Sequence, residues 1–323
     1  LSLHDALPIS LTSDQAGNLL TAQLSAMTTA QIAALETDDL SAITTAQMSG
    51  FKSSQLAVLS LNQIDTLSTA QLDALSNSQF AGFTTAQIQG LSIDQFTSLT
   101  TQQLAGLSTV QLAAVEVVDL AGLSTESLSV LTSQQMAALT TAQVAGLTSD
   151  QVLNLTTKQI TGFSSVQIGA IETDDLAAMG TDQIASLSVS QIVGLDADQV
   201  ATLTTDQVGV LSTDQMAVLT TDQIAALTTD QIDVLSTDQL SVLSADQLSG
   251  MEALDFASLS DDQLTSLSAF QLINLTTDQV TALSTDQLAL FDTDQMEAIG
   301  AILTQALSTD QLVALSATQL QYW

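Results

Sequence analysis

The chain has 323 residues, with 2 basic against 35 acidic side chains, a formal net charge of -33, no cysteine and 46% hydrophobic residues. So few basic residues exclude the cationic surface that nucleic-acid binding requires, and the lack of cysteine excludes disulfides, thiolate zinc sites and cysteine nucleophiles. Polar residues interrupt every apolar stretch well before 18 residues, so we predict no membrane-spanning helix.

The first ten residues, LSLHDALPIS, differ from everything that follows and contain the only proline and the only histidine. They lack the basic start and the longer apolar core of a signal peptide, and they resemble translated adapter sequence from sequencing reads. We therefore predict that residues 1–10 are an artefact outside the fold. Because His4 lies within this segment, little general-base chemistry of the usual kind remains.

From Leu11 to Tyr322 the chain is an uninterrupted series of 39 octapeptides, here labelled a to h. Position a is apolar in every octad, b is usually Ser or Thr, f is apolar and h is small, as in LTTDQIAA at 219–226. Gln occupies e in 33 of the 39 octads. The departures at e are Asp39, Asp119, Ser127, Asp175, Asp255 and Leu303. A fixed period of this kind is typical of repeat architectures.

Each octad carries three signals for the start of a helix. Ser or Thr at b, followed three residues later by Gln, has the spacing of a capping box. The apolar residues at a and f then occupy the two positions of a hydrophobic staple. Aspartate at d falls in the first helical turn, where the helix dipole favours a negative charge. The pattern therefore predicts one helix in every octad, beginning after b.

A continuous helix is excluded because eight residues at 100° each would rotate the apolar stripe by about 80° per repeat. A coiled coil needs a period of 7 or 11, and strand alternation would send a and f to opposite faces. Helices of about six to seven residues are too short to be stable alone, so we expect them to stack. The predicted fold is an all-α solenoid spanning residues 11–322, in which the small residues at h, often Gly, allow backbones to pack closely.

Acidic residues follow two patterns along the array. Octads starting at Leu35, Val115, Ile171 and Met251 replace b by Glu and e by Asp, which we attribute to duplication. The alternative is a set of acidic pockets formed by Glu36/Asp39, Glu116/Asp119, Glu172/Asp175 and Glu252/Asp255. Position d is Asp at every eighth residue from 198 to 246, which predicts acidic stripes that cations would screen.

Calcium is the one cofactor for which the sequence offers ligands. The candidate metal ligands are Glu172, Asp174, Asp175, Asp196, Asp198, Asp261, Asp262, Asp292 and Asp294. No calcium-loop motif accompanies them, although Ca²⁺ needs six to eight converging oxygens. We predict no enzyme activity, because catalytic carboxylates must be singular and differently tuned, and these are near-identical copies.

Octads such as LTTAQVAG at 139–146 and LTTDQIAALTTDQIDV at 219–234 resemble repeat arrays of large acidic surface or adhesin-like proteins of Gram-negative bacteria, often labelled haem-utilisation-like. This resemblance covers residues 11–322 and implies export and an extracellular or cell-surface location. It assigns no functional residue. We expect the array to be a fragment of a longer one, with further repeats or end-to-end self-association at its ends.

The sequence thus favours a non-enzymatic structural module acting as a spacer, stalk or adhesive segment of a secreted or cell-surface bacterial protein. Two alternatives remain: an α-solenoid scaffold that binds a protein or peptide, and a module whose folding is triggered by calcium. Among the aromatic residues, Phe270 at position d is predicted to be exposed, whereas the phenylalanines at a and f are predicted to fill the core.

Overall fold

The computed structural model describes residues 11–322, and the predicted all-helical repeat fold is confirmed. No strand occurs between residues 11 and 322. Residues 1–10, which we predicted to be an artefact, lie outside the described residues. The chain divides into two compact units, Leu1–Gly162 and Phe163–Trp323.

In the first unit each helix lies within one octad. The helices are α1 (Ser13–Ala16), α2 (Thr21–Ala26), α3 (Thr29–Ala33), α4 (Thr37–Ala42), α5 (Thr45–Met48), α6 (Ser53–Leu56), α7 (Leu61–Asp65), α8 (Thr69–Asp73), α9 (Asn77–Phe80), α10 (Thr85–Gln89), α11 (Ile93–Thr97), α12 (Thr101–Ala105), α13 (Thr109–Ala113), α14 (Val117–Gly122), α15 (Thr125–Ser129), α16 (Ser133–Ala137), α17 (Thr141–Ala145), α18 (Ser149–Leu153) and α19 (Thr157–Ile160).

The second unit continues the same pattern until its last octads. Its helices are α20 (Ser165–Ile168), α21 (Thr173–Ala178), α22 (Thr181–Ala185), α23 (Val189–Val193), α24 (Ala197–Thr202), α25 (Thr205–Gly209), α26 (Thr213–Ala217), α27 (Thr221–Ala225), α28 (Thr229–Asp233), α29 (Thr237–Ser241), α30 (Ala245–Gly250), α31 (Ala253–Ser258), α32 (Asp261–Ser266), α33 (Ala269–Leu272), α34 (Thr277–Ala282), α35 (Thr285–Leu290), α36 (Thr293–Ala306) and α37 (Thr309–Ala314). A 3₁₀ helix, Gln319–Tyr322, occupies the final octad.

Most helices are shorter than the six to seven residues that the sequence suggested. Apart from α36, they have four to six residues, because the N-cap at b is extended and the chain must leave the helix to bring the next a residue into the core. Helix α36 is a 14-residue exception. It runs through the octad that starts at Ile299, where Gly300 at b and Leu303 at e remove both halves of the capping signal.

The core consists of the a and f side chains, as the staple pattern predicted. Ile224 at f is 1% exposed and Leu219 at a is 5% exposed, and the same burial recurs in octad after octad. The phenylalanines at a and f that the structure describes are buried, and Phe80 stacks on Phe83 with ring centroids 4.8 Å apart. Phe270 is 72% exposed, as predicted.

Helices three octads apart pack against each other within each unit. In the first unit α1 contacts α4, and in the second α24 contacts α27, which in turn contacts α30. Within each unit the polypeptide therefore returns over itself after about three to four octads, so octads of one superhelical turn pack against those of the next. This stacking lets helices that are too short to be stable alone bury their apolar residues.

Small residues at h lie where successive turns come closest. A Cβ atom added to Gly50 would lie 2.8 Å from the Cα of Thr21, which is the c residue three octads earlier. A Cβ on Gly194 would overlap the backbone of Ser165 in the same relative position. None of the described glycines has a positive φ angle, so close approach, and not left-handed backbone, explains glycine at these two positions.

We expect Gly194→Ala to lower the free energy of unfolding by roughly 1 to 3 kcal/mol, because backbone atoms of Ser165 leave no space for the methyl group. Gly209→Ala is the matched control, since no atom lies within 4 Å of the added Cβ in α25. That change should raise stability by about 0.5 to 1 kcal/mol, the ordinary gain for Gly→Ala in a helix. Urea denaturation followed by circular dichroism measures both, and equal effects would contradict the close-packing explanation.

We expect Leu219→Ala to destabilise the protein by about 2 to 5 kcal/mol, because it opens a cavity beneath a side chain that is 5% exposed. Val234→Ala, at a valine that is 42% exposed, is the control and should change stability little. The urea midpoints of the two variants provide the comparison. An unchanged midpoint for Leu219→Ala would refute the assignment of position a to the core.

Candidate functional site

The capping box predicted from the sequence is present in most octads. In the octad of α27, the N–H of Gln223 donates to Thr220 Oγ1 at 3.1 Å, and the N–H of Thr220 donates to Gln223 Oε1 at 2.9 Å. Where b has no side-chain acceptor, only the second bond forms. The N–H groups of Leu20, Lys52 and Gly180 donate to the Oε1 atoms of their glutamines at 2.8, 2.6 and 2.8 Å.

The same glutamines also connect successive turns, a role that the octad pattern alone does not predict. Gln223 Nε2 donates to the carbonyl of Ile192, 31 residues earlier, and to that of Leu195, 28 residues earlier, both at 2.8 Å. We call the set of these cross-turn bonds the glutamine ladder. Its rungs include Gln47, Gln55, Gln63, Gln71, Gln79, Gln87, Gln95, Gln103, Gln111, Gln135, Gln143, Gln151 and Gln159 in the first unit, and Gln191, Gln199, Gln207, Gln215, Gln223, Gln231, Gln239, Gln247, Gln263, Gln271, Gln279, Gln287, Gln295, Gln311 and Gln319 in the second.

Only glutamine supplies everything that this position requires. Its Oε1 accepts from the N-cap and its two Nε2 hydrogens reach two carbonyls, so a side chain that is 3% exposed at Gln223 leaves no polar atom unpaired. Glutamate would cap equally well but has no hydrogen to donate. The sequence contained this signal, because no octad carries Glu at e.

The four Glu-x-x-Asp octads divide their two carboxylates between core and surface. Asp39, Asp119, Asp175 and Asp255 are 3 to 7% exposed, whereas the glutamates at b are exposed and make no cap bond through their side chains. Asp255 accepts a hydrogen bond of 2.6 Å from the Thr229 hydroxyl. Burial, followed by the charge of Glu116, raises the pKa of Asp119 above its ordinary value of 3.8.

The acidic stripes predicted at position d are three rows of exposed aspartates on the second unit. Because helices three octads apart pack together, Asp198, Asp222 and Asp246 lie along one row. We call this row and its two equivalents the acidic rows. The other two rows are Asp206 with Asp230 and Asp214 with Asp238. Like charges repeated in this way repel one another and attract counterions.

The nine candidate metal ligands do not converge on one point. Asp196 and Asp292 act as N-caps, since their Oδ1 atoms accept from the N–H groups of Gln199 and Gln295 at 2.8 Å. Asp175 is buried at position e. The remaining six, Glu172, Asp174, Asp198, Asp261, Asp262 and Asp294, are exposed at helix starts. Across residues 11–322 no group of three or more His, Cys, Asp or Glu side chains is arranged to hold a metal ion.

Two open cavities are lined mainly by small or uncharged side chains. One of about 750 Å³ lies between α9 and α12, and is bordered by Asn77, Ser78 and Gln102. Another of about 450 Å³ is bordered by Asp198, Glu252 and Asp255 beside alanines of α24 and α27.

These features define an α-solenoid of octapeptide repeats, in which one capped helix and one glutamine rung recur. The family model described as ALTTAQ repeat matches residues 32–69, 67–101, 112–149, 168–205 and 201–229, which together make up just over half of the chain. The chain belongs to the ALTTAQ repeat family. None of the curated proteins searched matches it. No helix in the described part of the chain is both long and apolar enough to cross a bilayer.

We expect Gln223→Ala to cost about 2 to 4 kcal/mol, because three hydrogen bonds are lost and two buried carbonyls lose their donor. Capping alone would account for only about 1 kcal/mol. Gln102→Ala is the control, since Gln102 is an exposed residue of α12 at position d. The difference between the urea midpoints of the two variants measures how much the cross-turn bonds of Gln223 stabilise the protein. A loss of stability no larger than that of a helix cap would contradict a stabilising role for these bonds.

We also expect Gln223→Glu to be more destabilising at neutral than at acidic pH. The carboxylate keeps the cap acceptor but directs negative charge towards the carbonyl oxygens of Ile192 and Leu195, whereas the protonated acid can donate to one of them. Burial of this kind raises the pKa of a carboxyl, so stability should fall as the pH rises through that pKa. The measurement is the urea midpoint of the variant at several pH values, each compared with that of the unchanged protein. A difference that does not vary with pH would show that residue 223 does not need to donate a hydrogen bond.

Proposed function

We propose that the array is a non-enzymatic structural module: a spacer, stalk or adhesive segment of a secreted or cell-surface bacterial protein. The observation that carries this proposal is the repetition of one hydrogen-bond pattern, in which each rung connects an octad to the preceding superhelical turn. A fold of this kind gains stability octad by octad, so its length can vary without rebuilding a central core. Such a fold suits a protein whose role is to span a distance.

The surface supports a spacer better than a recognition scaffold. Positions c and d carry mainly Thr, Ser, Asp and Ala, and position g is mostly small. A recognition surface needs a chemically varied patch, with aromatic or arginine anchors that bury well on binding. Three of the most exposed apolar side chains, Val166, Leu254 and Phe270, each have small or polar residues on both sides in the sequence.

The absence of catalytic activity is part of the proposal and rests on the residues available. The sequence from 11 to 322 contains neither histidine nor cysteine, and most of its carboxylates repeat in equivalent exposed environments. General acid–base catalysis needs groups whose pKa values are set apart by different environments. The extracellular location and the bacterial surface role rest on the resemblance of the octads to surface and adhesin-like arrays.

The proposal includes folding of the array without calcium. The cap, the ladder and the core are all made by protein groups, so none of the interactions that join successive turns calls for a cation. Cations would then act on the acidic rows as screening charges, with sodium, magnesium and calcium differing mainly in valence. A calcium-triggered module would instead need the carboxylates to converge as ligands.

We expect the full chain to show a strong helical circular dichroism spectrum in chelator, and to gain stability similarly with calcium and magnesium. The measurement is far-UV circular dichroism during thermal unfolding, starting in chelator and adding either ion at matched ionic strength. Sodium chloride at the same ionic strength is the control for screening. A spectrum that is disordered in chelator and becomes helical only when calcium is added would contradict folding without calcium. It would favour the module whose folding is triggered by calcium.

A binding experiment tests separately whether the array is a spacer or a recognition scaffold. The full chain, immobilised, should bind basic extracellular-matrix proteins weakly, with an affinity that falls steeply as salt is added, because the attraction comes from the acidic rows. Asp222→Asn together with Asp246→Asn should weaken such binding. Saturable binding of a single partner that persists at high salt would show a specific site and favour the scaffold.

A further inference from the structure

The glutamine ladder is interrupted in the first unit by two consecutive octads, 115–122 and 123–130. Gln111 reaches the carbonyl of Phe83 at 2.8 Å and Gln135 reaches that of Leu107 at 3.0 Å, so the rungs on both sides are formed in the usual register. Between them, position e is Asp119 and then Ser127. Two adjacent links to the preceding superhelical turn are therefore missing.

The ladder register shows which carbonyls lose their donors. In the register of Gln111 and Phe83, counting back 28 residues from Asp119 and Ser127 leads to the carbonyls of Leu91 and Leu99, which no glutamine can reach because position e carries Asp and Ser. Ser127 does not replace the lost rung, because its short side chain stays within its own octad, where its hydroxyl accepts from that of Ser124 at 3.0 Å. Of the two side chains at these rung positions, Asp119 is the ionisable one, and it is 3% exposed.

Whether Asp119 can take over depends on its proton. A protonated carboxyl donates one hydrogen bond and can stand in for a glutamine Nε2, whereas an ionised carboxylate only accepts and would face carbonyl oxygens. We propose that octads 115–130 form a proton-dependent breakpoint of the first unit, closed when Asp119 is protonated and loosened when Asp119 ionises. The breakpoint is defined by the double gap in the ladder together with the buried carboxyl that lies within it.

The charged groups on the helices around Asp119 are all acidic. Its own octad contributes Glu116, the next helix α15 contributes Glu126, and α11 and α18, which contact or bond this octad, contribute Asp94 and Asp150. Helices α10 and α17 contribute no ionisable group, and no basic residue lies on any of these helices. Burial and the charge of Glu116 raise the pKa of Asp119, in agreement with a carboxyl that resists ionisation.

Asp255, a buried carboxyl at the same octad position, differs from Asp119 in its hydrogen bonds and in its neighbouring rungs. Asp255 accepts from the Thr229 hydroxyl at 2.6 Å, and the rungs of Gln247 and Gln263 on either side of it are formed. An ionised Asp255 therefore retains a donor, and its neighbours hold the turn. Asp119 has neither advantage.

The sign of the pH dependence follows from the raised pKa. The folded state binds the proton more tightly than the unfolded state does, so the stabilising contribution of Asp119 is complete below 3.8 and is lost as the pH rises through the raised value. Once Asp119 is ionised, the equilibrium constant for local opening of octads 115–130 should be about tenfold larger for each pH unit by which its pKa in the folded state exceeds its pKa in the unfolded state.

Hydrogen exchange of the full chain, followed by mass spectrometry over a pH series, tests the breakpoint. The readout is the exchange of octads 115–130 relative to a variant at the same pH, which cancels the intrinsic pH dependence of exchange. Asp119→Asn keeps the size of the side chain but cannot ionise, so the unchanged protein should exchange progressively faster than this variant as the pH rises. Octads 43–58, where the rungs of Gln47 and Gln55 are formed and reach residues far from octads 115–130, should show no such divergence.

Three further variants separate the causes. Asp119→Gln should slow exchange in octads 115–130 at every pH by restoring a rung, and Ser127→Gln should slow it while leaving the pH dependence in place. Asp73→Asn removes an exposed charge from α8 and controls for the overall charge. The proposal is overturned if the unchanged protein and Asp119→Asn follow the same pH dependence, or if Asp73→Asn abolishes it equally.

Discussion

The side-chain amide of glutamine at position e is the interaction on which the rest of the structure depends. One amide accepts from the N–H that begins its own helix and donates to two carbonyls at the end of helices in the preceding turn, as Gln223 does. It thus satisfies backbone groups that every short helix leaves unpaired at its ends. With dozens of helices of four to six residues, the chain has an unusually large number of such groups to satisfy.

This arrangement explains how so short a helix can be used as a building unit. The a and f side chains supply apolar burial, but burial alone would leave the carbonyls at each turn inside the protein without partners, which is costly. The glutamine removes this cost and at the same time aligns adjacent turns. Apolar packing and backbone pairing therefore depend on the same register, which makes local sequence and overall fold mutually consistent.

Much of this could be predicted from the sequence, because the decisive signals are local. The b-to-e spacing predicted the capping box, and the a and f pattern predicted the core, as at Thr220, Gln223 and Leu219. What could not be predicted was the partner of the glutamine Nε2, since a bond to Ile192 depends on how many octads make a turn. That number is set by the packing of α24 against α27 and of every equivalent pair, which no single octad encodes.

The exceptions also follow physical rules that the sequence only partly revealed. The fusion of two octads into α36 follows from the loss of both capping residues, which is visible at Gly300 and Leu303. The burial of Asp119 and the exposure of Glu116 follow from their places at e and b. Their identity as acids suggested a pair, but position in the repeat, and not chemical type, decides which carboxylate enters the core.

The register of 28 and 31 residues constrains how a gene for such an array can change. A rung joins whichever octads happen to lie one turn apart, so adding or removing a whole octad leaves every amide opposite equivalent carbonyls. Adding a single residue would instead shift the carbonyl partners of about four successive rungs. It would also turn the apolar side chain at position a of that octad towards water. Recombination between near-identical octads changes length in steps of eight residues, which preserves the frame, and the run from Leu11 to Tyr322 contains no other step.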